Sequence, residues 1–94
     1  MTCAFERRDA FPDTTSDDAL YDDALARFRA AGLPVKILDA TMRWSEDCGW
    51  LLRAVPGLYF GIGAGENAPG LYTAEYAFDD GLIAPAVAAF EALI

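Results

Sequence analysis

Between Thr15 and Pro34 the chain carries the start, body and stop of one helix, and no other stretch constrains the fold as tightly. Thr15 with Asp18 three residues on resembles a capping box, and Asp17 and Asp18 sit where the helix dipole favours negative charge. Arg27 and Arg29 occupy the last turn, Gly32 suits the C′ position and Pro34 forbids continuation. Leu20, Tyr21, Ala24, Leu25, Phe28 and Ala31 recur at the helical period and predict one buried face. Asp18, Asp22 and Asp23 fall elsewhere on the helix and read as a solvated face rather than a cation site.

That face needs something to lie on, and the flanking segments suggest a sheet. Residues 3–8 alternate weakly, with Cys3 and Phe5 on one side, and residues 35–38 form a brief β-branched run. Residues 58–63 are apolar on both alternating faces, as in a strand covered on both sides, and Gly61 and Gly63 predict a close neighbour there. Ser45 offers an N-cap, with Glu46 and Asp47 in the first turn of a short helix that Pro56 and Gly57 stop. Residues 64–78 read as an irregular loop. Asp79, Asp80 and Gly81 then prepare a last helix, with Pro85 near its first turn and Ile83, Val87, Phe90 and Ile94 as its buried stripe. The expectation is α/β: a small sheet of about three strands covered by about three helices, in a single domain over residues 1–94.

Composition narrows the partners. A net charge of −8 disfavours nucleic acid and anionic membranes, and 54% hydrophobic residues in 94 exceed what one thin core obviously needs. With no secretory leader pattern the chain reads as soluble and cytoplasmic, and Cys3 and Cys48 as two ordinary thiols. It has no histidine, the commonest catalytic zinc ligand and the usual base near neutral pH. The passage GIGAGENAPG, residues 61–70, lacks the features of a phosphate cradle. Glu66 stands where a dinucleotide fingerprint needs its third glycine, no helix opens directly at the loop, and Lys36 is the only lysine.

Several segments in order resemble the C-terminal part of zinc-dependent amidohydrolases, the aminoacylase and carboxypeptidase-like group that includes hippurate hydrolase. They are Phe11-Pro12-Asp13-Thr14-Thr15-Ser16-Asp17, Ser45-Glu46-Asp47, Val55-Pro56-Gly57, the run Leu58-Tyr59-Phe60-Gly61-Ile62-Gly63, and Gly70-Leu71-Tyr72-Thr73-Ala74-Glu75-Tyr76-Ala77-Phe78-Asp79-Asp80. The resemblance covers residues 11–94. It implies that residues 1–10 are a remnant of a lid-domain strand and that the rest is the second segment of a catalytic domain. In the family, zinc is held by His, Asp, Glu and sometimes Cys, and a glutamate activates the metal-bound water. Most of those groups belong to the part of the family's chain with no counterpart here. The histidine expected in Gly-Leu-His is replaced by Tyr72, and a phenol with a pKa near 10 is a poor zinc ligand at neutral pH. Cys48 stands where phenylalanine is usual and reads as a small hydrophobe.

The resemblance thus implies a truncated relative of a metal-dependent amidohydrolase, inactive alone, with no cofactor or metal held by this chain although zinc serves the family. Glu46, Asp47, Gly63 and Tyr72 are its substrate-pocket candidates, with no catalytic residue among them. The expected partner is a second copy in a homo-dimer or a complementing chain. The alternative is an independent, non-enzymatic α/β module acting through dimerisation or partner binding. Hydrolysis by carboxylates alone would have Glu46, Asp47, Glu66, Glu75, Asp79 and Asp80 to draw on, but their spacing singles out no acid–base pair.

Overall fold

The structure, a computed structural model, describes residues 1–8, 10–44 and 46–94. Its regular elements are helix α1 (Asp18–Ala30), helix α2 (Cys48–Ala54), a 3-10 turn (Asp80–Leu82) and helix α3 (Ile83–Ala92). Among the described residues there is no β-strand, so the expected α/β layer and its three-stranded sheet are not formed and the described chain is helical. The physical reason lies in pairing. A strand is defined by a ladder to a neighbour, and strand-like composition in residues 3–8, 35–38 and 58–63 supplies side chains without supplying that neighbour. Gly61 and Gly63 have nothing within 4 Å of where a Cβ would sit, so the close packing expected at them is absent too.

Helix α1 lies where its local signals put it. Its N-cap is Asp17, not Thr15: the Asp17 carboxylate accepts from the Leu20 N–H at 2.9 Å, and the Asp17 carbonyl accepts from the Tyr21 N–H at 2.9 Å. The capping box with Asp18 fails because the Thr15 hydroxyl is turned to the Asp13 carboxylate, 2.8 Å away. At the other end Gly32 takes a φ of +73°, and the N–H groups of Gly32 and Leu33 donate to the carbonyls of Arg29 and Phe28, each at 3.0 Å. This is the Schellman pattern, which satisfies two carbonyls the helix leaves over. An i,i+4 ion pair, Arg27 to Asp23 at 2.8 Å, lies on the exposed face.

Helix α2 begins at Cys48, later than expected, so Glu46 and Asp47 precede its first turn instead of occupying it. Asp47 holds the N-cap position with a helical φ of −73° and no side-chain capping bond; Ser45, the expected cap, lies outside the described residues. The helix ends at Val55, which turns extended (φ −141°, ψ 148°) as the residue before a proline must.

Asp79 caps the 3-10 turn by accepting from Gly81 N–H at 2.8 Å, and Pro85 falls in the first turn of α3, where its missing N–H costs nothing. The stripe expected to be buried on α3 is instead exposed, Phe90 at 60% and Ile94 at 97%. The covered side runs through Leu82, Ala86, Ala89 and Leu93.

The chain divides into two compact units. The first comprises Met1–Tyr21 and Ile37–Tyr59, the second Asp22–Lys36 and Phe60–Ile94. The buried hydrophobic residues, Ala24, Phe28 and Ala89, all belong to the second. There Phe60 meets Phe28 edge-on at 5.3 Å between centroids and Phe90 at 5.6 Å, the tilted arrangements that aromatic quadrupoles favour. No helix among the described residues is long and apolar enough to cross a membrane.

Candidate functional site

In the second unit the glycine-rich passage ends in a tight turn, Ala68 N–H to Gly65 carbonyl at 3.3 Å, entered through Gly65 at a φ of +97°. The Thr73 hydroxyl then donates to the Gly70 carbonyl at 2.7 Å, and Tyr76 N–H to the Thr73 carbonyl at 3.2 Å. Tyr72 sits between these bonds with a φ of 60°, the one non-glycine residue in the left-handed region among those described, and is 71% exposed. For an L residue with a bulky side chain that conformation costs roughly 1 kcal/mol or more. The sequence singles out Tyr72 only through a resemblance that expects histidine at that position; its unusual backbone has no signal in the sequence.

The remaining candidates fall in both units. Gly63 is exposed and belongs, like Tyr72, to the second unit. Glu46, half-buried, and Asp47, exposed, belong to the first unit and stand side by side just ahead of α2. In that unit desolvation raises the Tyr59 phenol above its ordinary 10.0, and the electrostatic influence of neighbouring Glu46 and Cys48 pushes the same way. Among the described residues no three His, Cys, Asp or Glu side chains cluster so as to hold a metal ion. Cys3 and Cys48 are both free thiols, the first exposed and the second half-buried.

A more fully built place lies within the first unit, where the segment before α1 meets α2 and the residues after it. Asp17 N–H donates to the Gly57 carbonyl at 2.8 Å, and Tyr59 N–H donates to the Ser16 hydroxyl at 3.0 Å. Arg53 Nη2 reaches Asp13 Oδ1 at 2.7 Å, while its guanidinium lies 5.5 Å from the Trp50 ring centroid. Bonded first to Arg53 and then to Thr15, the Asp13 carboxyl is held below its ordinary 3.8. Gly49 makes the close approach possible: a Cβ there would come within 2.6 Å of the Asp13 carbonyl oxygen and 2.8 Å of Pro12 Cγ. Thr15, Ser16, Asp17 and residues 52–57 line a shallow cleft of about 270 Å³.

The polar groups of this cleft are committed to structure. Asp17 caps α1, Ser16 anchors Tyr59, Thr15 and Arg53 hold Asp13, and among the described residues no buried side-chain oxygen or nitrogen lacks a partner. Catalysis needs a base or nucleophile poised for change, and here the geometry supplies a clamp. Asp13, Ser16 and Arg53 were not singled out from the sequence as a cluster; the ion pair joins residues forty positions apart, and no local periodicity carries such a link. In comparisons with protein-family models, curated proteins and solved structures, none matches this chain.

Proposed function

We propose that this chain is the closing segment of a metal-dependent amidohydrolase-like catalytic domain, without hydrolytic activity of its own, and that it works together with a polypeptide supplying the remainder. The observation that carries the proposal is a set of apolar side chains left exposed in segments outside the helices. Ile37 and Leu38 are 53% and 51% exposed, and the run 58–63 forms no ladder. Apolar side chains at that density are costly to leave in water, at about 25 cal/mol per Å², and a complementary polypeptide would cover them. The ordered motifs of residues 11–80 say what kind of remainder to look for: one that brings the histidines and the glutamate this chain lacks. Tyr72 then stands at the pocket position in place of a ligand, and zinc would be held by the complementing part.

The test is to purify the 94 residues alone and together with the polypeptide encoded directly upstream, and to compare their association by light scattering and zinc-dependent release of amino acids from N-acyl-amino acids. The expected result is no hydrolysis by the chain alone, with hydrolysis gained in the complex. Zinc uptake and amide hydrolysis by the isolated chain would overturn the proposal, as would failure of the two polypeptides to associate.

A second reading, an independent non-enzymatic module that acts through dimerisation or partner binding, is favoured by the completeness of α1, capped at both ends from within the chain. It expects a cooperative unfolding transition without metal and a defined dimer by light scattering. An aggregated or molten chain would count against it.

A further inference from the structure

We draw no further inference here: the strongest candidate, the apolar stripe of Ile83, Val87, Phe90 and Ile94 along α3, has nothing in the structure to show what covers it.

Discussion

The two units hold together by different means. In the second, apolar side chains meet: Phe60 touches Phe28 and Phe90, and among the described residues the buried hydrophobic ones, Ala24, Phe28 and Ala89, lie there. In the first, the long-range ties are polar, with Asp17 to Gly57, Tyr59 to Ser16 and Arg53 to Asp13 all joining the segment before α1 to α2 and its C-terminal extension. Apolar burial is insensitive to pH and weakly directional, whereas exposed hydrogen bonds contribute little each and depend on geometry. The second unit is therefore expected to lose most from truncation, and the first from displacement.

Phe28→Ala should give the largest effect. Phe28 is 9% exposed and edge-on to Phe60, so its truncation removes the largest of the three buried hydrophobic side chains among the described residues and should cost about 3 kcal/mol. For a small chain that is a large share of total stability, and urea titration followed by circular dichroism should show α1 largely unfolded. The contrast between the units breaks if this variant is less destabilised than Gly49→Ala.

Gly49→Ala comes next. In an ordinary helix the change would stabilise by up to about 1 kcal/mol through propensity. Here the new methyl would meet the Asp13 carbonyl oxygen at 2.6 Å, a backbone atom that cannot swing aside, and overpacking of this kind costs about 1–3 kcal/mol. The net loss should appear as faster amide exchange at Asp17 and Tyr59, whose hydrogen bonds depend on the two segments staying together. Gly57→Ala is the control, because the atom met there at 2.5 Å is the tip of the Leu52 side chain, which can rotate.

What the sequence disclosed divides along the same line. Helix α1 was legible in its bounds because those signals are local: Gly32 fixes the stop whatever else the chain does, and Thr15 for Asp17 as N-cap is a choice between near neighbours decided by Asp13. Its face was read too wide, since Ala24 and Phe28 are buried while Leu20, Tyr21 and Ala31 are exposed. Strands were read at 3–8, 35–38 and 58–63 and none forms, because pairing is non-local and residues 58–63 have the composition of a strand without a ladder. On α3 the wrong face was chosen for another reason. A helix apolar nearly all round has no unique buried stripe, so Leu82, Ala86, Ala89 and Leu93 could not be told from Ile83, Val87, Phe90 and Ile94 by periodicity. Of the candidate residues, Tyr72 was singled out only by a resemblance that expects a histidine there, while the Asp13–Arg53 clamp was invisible for want of any local pattern.

Asp17→Ala should sharpen the contrast at an intermediate level. It removes the side-chain acceptor of Leu20 N–H and leaves the backbone bond to Gly57 in place, so the cost is that of an N-cap, about 1 kcal/mol. Helix signal should fall at the first turn of α1, and Asp17→Asn or Asp17→Ser should restore most of it. If Asn and Ser fail where Asp succeeds, the carboxylate is acting through its charge on the helix dipole instead of through the cap.

Asp13→Asn should produce the smallest change and the one with a pH signature. The carboxyl is held below 3.8 in the folded chain, first by the hydrogen bond from Arg53 and then by that from Thr15. A depressed carboxylate contributes stability that is fully present above its unfolded value and is lost as pH falls through the folded one. Wild type and Asp13→Asn should therefore differ slightly in melting temperature at pH 7, and the difference should close as pH drops below about 4. Both partners are more than half exposed, so added salt should shrink the gap at pH 7 as well. A difference that persists at low pH and in high salt would mean that Asp13 acts through shape at the Gly49 contact, moving the first unit's cohesion from polar ties toward packing.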